Sequence, residues 1–220
     1  MHWIQPVDII DMIWKGIFVG VIVSAPMGPV GVLCVQRTLN KGRWFGFVTG
    51  LGAAASDLTY ALITGFALSY VVDLIENPRT MFILQALGSI MLFVFGLYTF
   101  LSRPQEKVHA SSGTKGSYTH NAVTAFFVTL SNPLIVFLIL GLFARFNFIV
   151  PGHYVAQAVG YLAIVGGAVG WWFVLTYAVD KVRNSIDVQG IWIVNRVIGA
   201  LVMVASAVGF YMTITGRSLY

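Results

Sequence analysis

The amino-acid sequence predicts an all-α membrane protein with six transmembrane helices. Hydrophobic residues make up 58% of the 220-residue chain, charged residues make up only 10%, and long uncharged stretches recur along it. Soluble domains carry about 25% charged residues, and a soluble domain of this length could not bury so much apolar surface. An uncharged helix of about 20 residues, by contrast, crosses a hydrocarbon core about 30 Å thick.

Six apolar stretches are long enough to span the bilayer. They are Met12 to Cys34, Trp44 to Val72, Thr80 to Leu101, Asn121 to Ala144, Tyr154 to Val179, and Ile191 to Gly216. Lys15 and Arg196 lie near span ends, where their long side chains can reach the interface. Asp57 is the one charged residue that lies deep within a span.

The basic residues predict the orientation of these spans. Eight lie in the loops after spans one, three and five, and four lie near the opposite span ends. The eight are Arg37, Lys41, Arg43, Arg103, Lys107, Lys115, Lys181 and Arg183. Because cytoplasmic loops carry the excess of Lys and Arg, both termini are predicted to lie outside. The basic residues form no continuous face, so no nucleic-acid partner is expected.

A polar segment divides the spans into two sets of three. Residues 1–101 form the first predicted three-helix repeat, residues 102–120 a flexible cytoplasmic linker, and residues 121–220 the second repeat. An odd number of spans in each half places two similar halves in the membrane in opposite orientations, as in inverted-repeat transporters.

Prolines interrupt the first span of each half, at Pro26 and Pro29 and again at Pro133 beside Asn132. Proline lacks an amide hydrogen and clashes with the preceding turn, so both helices should break there. Unpaired backbone groups are tolerated in a membrane only when they are buried in protein or line a wet cavity. Free amide groups at a break also suit an anion such as a carboxylate. We predict a solute site at these breaks, including Gly28; the alternative is a pair of packing kinks.

Asp57 is the strongest single signal in the sequence. An ionised acid at the bilayer centre costs about 2.5–3.5 kcal/mol on insertion scales, so it faces the bundle interior as a rule. Small residues share its helix face at spacings of three and four: Gly46, Gly50, Ala53, Ala54, Ala61 and Gly65. Burial favours the neutral acid, so Asp57 is predicted to load and release a proton. The alternative is a structural acid bonded to a neighbouring helix.

Other polar and aromatic residues give weaker signals. Trp172 lies well inside span five, where its ring can wall a pocket, stack on a cation or serve packing alone. Gln36 and Asn195 fall near span ends, where contact with interfacial water is expected. No His lies deep in a span and Cys34 is the sole cysteine, so no cofactor and no metal site is predicted. An intramembrane serine hydrolase needs a deep His beside its serine, and we therefore predict no enzymatic activity.

Several motifs together point to a known family. They are Pro26-Met27-Gly28-Pro29, Gln36-Arg37-Thr38-Leu39, Lys41-Gly42-Arg43, Gly50-Leu51-Gly52-Ala53-Ala54-Ala55-Ser56-Asp57 and Asn132-Pro133. The chain resembles the LysE/RhtB family of bacterial amino-acid exporters, particularly its Pro-Met-Gly-Pro branch. Two positions depart from many members of that family: Val30 replaces an Asn, and Leu134 replaces a Lys.

The resemblance implies a six-helix secondary carrier in the bacterial plasma membrane. Such a protein exports amino acids or related small metabolites using the proton gradient, so its expected partners are a small-molecule substrate, protons and membrane lipid. A homodimer formed through a glycine-lined face is a further candidate. The alternative function is that of a non-catalytic subunit or assembly factor, which would depend on a large partner-facing loop or domain.

Overall fold

The computed structural model describes residues 9–26, 28–69, 78–102, 116–132, 134–150, 152–181 and 188–215. Within these ranges the chain forms eight α-helices and no strands. The helices are α1 Ile9–Ser24, α2 Pro29–Lys41, α3 Arg43–Ser69, α4 Pro78–Leu101, α5 Tyr118–Leu130, α6 Leu134–Phe146, α7 Tyr154–Lys181 and α8 Val188–Thr215. The predicted all-α class is confirmed.

Four helices, α3, α4, α7 and α8, are each long and apolar enough to cross a membrane. Two shorter pairs pass the same test together: α1 with α2, bent by 80°, and α5 with α6, bent by 72°. Counting each bent pair as one span gives six spans, the number that the sequence predicts. The interruptions predicted in spans one and four are therefore confirmed.

The first helix of the chain packs along a helix from its second half. Gly16 of α1 lies against Gly160 of α7, and Gly20 lies against Ile164, one turn further on. The residue numbers of the contacting positions increase along both helices, so α1 and α7 run in the same direction. The two glycines allow the backbones to approach closely, as small residues do between membrane helices.

The first helix of the second half, α5, packs in turn along α3 of the first half. Gly52 of α3 lies against the backbone of Ala122, and the Tyr60 hydroxyl donates to the carbonyl oxygen of Leu130. These contacts make α3 and α5 parallel as well. Each broken pair thus packs its first segment on the long third helix of the other half, which brings both breaks to the middle of the bundle.

An aromatic cluster closes one end of the bundle, where α6 ends and α7 begins. The rings of Phe143 and Phe148 stack with centroids 4.4 Å apart, and Tyr161 packs edge-on against Phe148 at 5.8 Å. Met12 of α1 is buried in the same core. We refer to Phe143, Phe148 and Tyr161 as the aromatic cluster.

One predicted loop is wrong. Arg37 and Lys41 were expected between spans one and two, but α2 continues to Lys41 and only Gly42 separates it from α3. Gly42 has a φ of +105°, a conformation that glycine adopts without strain. The prediction ended span one at Cys34, ahead of the polar and basic residues that follow, whereas Arg37 is buried and hydrogen-bonded within α2. Residues 103–115 of the expected linker, and the expected span ends Val72 and Gly216, lie outside the described residues.

The α3–α5 crossing gives a stability prediction. A Cβ atom at Gly52 would overlap the backbone of Ala122, so Gly52→Ala should destabilise the folded protein by about 1–3 kcal/mol, the usual cost of overpacking. The thermal unfolding midpoint of the detergent-purified protein measures this effect. Gly166→Ala is the matched control, because a Cβ atom at Gly166 meets no other atom within 4 Å. Equal unfolding midpoints for the two variants would contradict the packing described.

Candidate functional site

Asp57 lies on the buried face of α3 and is only 3% exposed. The Ser24 hydroxyl donates a hydrogen bond to its Oδ2 atom, with an oxygen–oxygen distance of 2.9 Å. Ser24 is the last residue of α1, so the hydrogen bond links the acid directly to the point at which the first span breaks. The prediction that the small-residue face of this helix is buried is confirmed.

The small residues of α3 also bring Trp172 to the site. The Trp172 ring of α7 packs directly over Gly50, where any Cβ atom would overlap it. Ala53 and Ala54 are buried in the same cluster. A large indole can thus lie one to two turns from Asp57 because α3 presents almost no side-chain volume on this face.

The first break leaves the beginning of α2 without a side-chain cap. Gly28 is the N-cap residue, and its side-chain hydrogen is no acceptor for the amide groups of the first turn. Its own amide donates to the Pro26 carbonyl oxygen at 2.8 Å, and its carbonyl accepts from Val32 at 3.1 Å. Pro29 occupies the first helical position, which suits proline because that position needs no amide donor.

The second break is capped by side chains. The Asn132 Oδ1 atom accepts a hydrogen bond from the Leu134 amide at 3.2 Å, at the start of α6. The Tyr60 hydroxyl donates to the Leu130 carbonyl oxygen at the end of α5. Asn132 therefore supplies an acceptor for a backbone amide that the break would otherwise leave free. Pro133 lies outside the described residues.

A cavity of about 680 Å³ lies between the two breaks. Six of the seven residues that the sequence singled out for substrate binding and proton coupling line it: Pro26, Gly28, Pro29, Asp57, Asn132 and Trp172. The fold thus gathers residues from both halves of the chain around one space. Among the described lining residues, Asp57 is the only one with a charged side chain.

Sequence reasoning missed several cavity residues. Gln36, Tyr98, Thr99, Thr129 and Asn195 also line it. Asn195 is only 2% exposed, so the expectation that it contacts interfacial water is wrong. The position of Asn195 near a span end did not predict its burial, because the cavity extends along the bundle as far as this residue.

Two buried polar atoms at the cavity wall have no hydrogen-bond partner among the described residues. They are the Thr129 hydroxyl and the Trp172 Nε1 atom, on side chains that are 3% and 1% exposed. Most buried polar groups in folded proteins are hydrogen-bonded. A cavity with two unpaired polar groups beside one acid is suited to a small polar solute.

The cavity continues along the bundle beyond the two breaks. It extends from the breaks to Ser102, a half-exposed residue just after α4, and to Asn195 in α8. At the opposite end, the aromatic cluster fills the space between α6 and α7. The cavity and the aromatic cluster therefore lie toward opposite ends of the bundle.

Comparison with known proteins identifies the family. Residues 21–215 match the family described as LysE type translocator. The chain belongs to this family. The resemblance seen in the sequence motifs is therefore confirmed, and the protein is a multi-pass membrane translocator.

A more specific relative comes from Bacillus subtilis (strain 168). This protein, named "Putative amino acid efflux protein YcgF", is 31% identical to the translocator over 127 residues. The match covers 58% of the present chain and 59% of the length of the relative. No solved structure matches the chain significantly.

The cavity predicts a difference in thiol reactivity along α2. Val32 lines the cavity, whereas Cys34, two residues later, is 0% exposed. A Val32→Cys variant in a Cys34→Ala background should therefore react with a small water-soluble thiol reagent many-fold faster than Cys34 of the wild-type protein, because thiol reactivity depends on access and on the thiolate form. Mass spectrometry of the labelled protein gives both rates. Equally slow labelling of the two thiols would show that water does not reach this wall.

Proposed function

We propose that this LysE-type translocator is a secondary carrier that exports amino acids or related small metabolites across the plasma membrane in exchange for protons. The observation that carries the proposal is the Asp57 carboxyl, buried at a cavity between two broken helices. Family membership supports transport, and the name of the Bacillus relative supports amino acids as the substrate class.

The cavity offers complementary groups for the two ends of an amino acid. The substrate ammonium group binds Asp57, since no other charged side chain lines the described wall. The carboxylate binds at the uncapped start of α2 around Gly28, where free amide groups and the positive end of the helix dipole favour an anion. Asn132 lies across the cavity and contributes the polar surface of the second break.

Proton coupling follows from the presence of a single acid. One carboxyl group cannot hold a proton and pair with an ammonium group at the same time. Proton loading from one side releases the substrate, and substrate binding from the other side displaces the proton. Ser24, which donates to the Asp57 carboxyl, connects this exchange to the end of α1.

Alternating access explains how a solute passes the aromatic cluster. In each half a bent pair precedes two long helices, and α1 packs on α7 as α5 packs on α3. We propose that residues 1–101 and 121–220 are inverted repeats that rock about the cavity. The excess of basic residues in the loops supports an orientation with both termini outside, in which the end of the cavity near Ser102 and Asn195 lies on the cytoplasmic side.

Replacing the acid tests the coupling. Asp57→Asn keeps the shape of the side chain but removes the exchangeable proton, so proton-driven amino-acid transport into or out of proteoliposomes should be lost while membrane insertion is retained. Asp180→Asn is the control, because Asp180 is exposed at the end of α7 and its replacement should leave transport unchanged. Full proton-driven transport by the Asp57 variant would refute the proposed role.

Neighbouring tryptophans test the binding site. Trp172→Phe retains an aromatic ring but removes the unpaired Nε1 donor, so amino-acid binding should weaken by about 0.5–1.5 kcal/mol, or roughly 2- to 10-fold. Trp171→Phe removes the same group from a ring that faces a separate apolar groove between α1 and α7, and it should leave affinity unchanged. Isothermal titration in detergent compares the variants. Equal affinities for both would exclude Trp172 from substrate binding.

A further inference from the structure

Arg37 occupies an unusual position for a membrane-protein arginine. It lies in α2, where it is 8% exposed. Its Nη1 atom donates to the Thr49 hydroxyl oxygen at 3.0 Å and to the Asn121 carbonyl oxygen at 2.7 Å. Both acceptors are neutral, and no carboxylate among the described residues forms an ion pair with it. Burying a cation is costly, so a role beyond membrane orientation is indicated.

The two hydrogen bonds join different parts of the chain. Thr49 belongs to α3, in the same half as Arg37, while Asn121 belongs to α5, in the other half. One guanidinium group thereby fixes α2 to a helix of its own half and to the start of the second half. The attachment lies near the end of α2, the segment that forms one wall of the cavity.

The contacts of α2 differ from those of its counterpart α6. α2 packs along α3, where the Cys34 thiol donates to the Gly46 carbonyl oxygen at 3.3 Å. α6 instead packs along α4, with Gly141 against Gly88 and Leu92. If each half had the contacts of the other, α6 would pack on α7 and α2 would pack on α8. Neither pair of helices is in extensive contact within the described parts of the chain. Other contacts are equivalent in the two halves: for example, α1 packs on α7 as α5 packs on α3.

This asymmetry defines a second arrangement of the same helices. Exchanging the two sets of contacts moves α2 from α3 towards α8. Val32 and Gln36 of α2 and Asn195 of α8 all line the cavity, so this movement would narrow the part of the cavity that these residues line. In the same exchange α6 would leave α4 and pack on α7, the helix that carries Tyr161 of the aromatic cluster.

We propose that Arg37 is a positioning residue that holds α2 on α3 and α5 while the cavity is open, and that breaking its two hydrogen bonds lets α2 close against α8. This inference rests on the alternating access proposed above and adds the residue that maintains one of the two states. Removing the two Arg37 hydrogen bonds shifts the equilibrium towards the closed state only if those bonds stabilise the open state more than the closed state.

Cross-linking between α2 and α8 measures the closed population. Val32→Cys and Asn195→Cys are combined in a Cys34→Ala background, reconstituted in liposomes and treated with a short bifunctional maleimide without amino acid. Adding Arg37→Gln should raise the cross-linking yield several-fold. Thr49→Val removes one acceptor while keeping the side-chain shape, and it should raise the yield by a smaller factor. Lys41→Gln, which removes a positive charge one turn further along α2, should leave the yield unchanged.

The outcomes separate this inference from the transport proposal. Unchanged yields in the folded Arg37 and Thr49 variants would overturn the positioning role. If Arg37→Gln does not fold, Thr49→Val decides alone: a raised yield supports the role, and an unchanged yield rejects it. Amino-acid transport is measured separately on the wild-type protein. Absence of transport with a responsive cross-link would reject the proposed substrate and leave the Arg37 inference intact.

Discussion

The fold depends on one constraint: backbone amide and carbonyl groups freed inside a membrane must find partners or face water. The two broken spans meet this constraint in different ways. At the second break, Asn132 caps α6 and the Tyr60 hydroxyl bonds the end of α5. At the first break, the N-cap residue of α2 is Gly28, which has no side chain to form a cap, and it lines the central cavity. The cavity is therefore both a consequence of the broken helix and the place where a solute can replace the missing cap.

The close packing of α3 allows an acid and an indole to share this space. Glycine and alanine on one face of α3 let α5 and α7 approach its backbone, and the absence of side-chain volume at Gly50 accommodates the Trp172 ring. Asp57 lies on that face, buried yet hydrogen-bonded to Ser24. The first half contributes the acid and the uncapped helix, whereas the second contributes the capped break, Thr129 and Trp172. Neither half alone forms the proposed site.

The different contacts of α2 and α6 relate the proposed binding site to a proposed movement of these helices. The proposed alternating access needs two arrangements of similar stability, and packed interfaces change between discrete arrangements more readily than they deform continuously. Here α2 packs on α3 while α6 packs on α4, so the molecule already shows two different partners for corresponding segments. The buried Arg37 guanidinium lies at the interface that would separate. Its two acceptors are the neutral oxygens of Thr49 and Asn121, and a move of α2 away from α3 and α5 would break both hydrogen bonds.

The sequence by itself determined the spans, their two interruptions, the burial of the small-residue face and the depth of Asp57. These features follow from apolar length, the missing amide hydrogen of proline and helical spacing, all of which are local properties of the chain. Only the tertiary structure decided that Asn195 lines the cavity and that the Thr129 hydroxyl at its wall has no hydrogen-bond partner among the described residues. It also decided that Arg37 reaches Asn121, which is 84 residues away in sequence. The physical reason is that the surroundings of a polar group near a span end depend on the helices that pack beside it, and those contacts are set by breaks and crossings far along the chain.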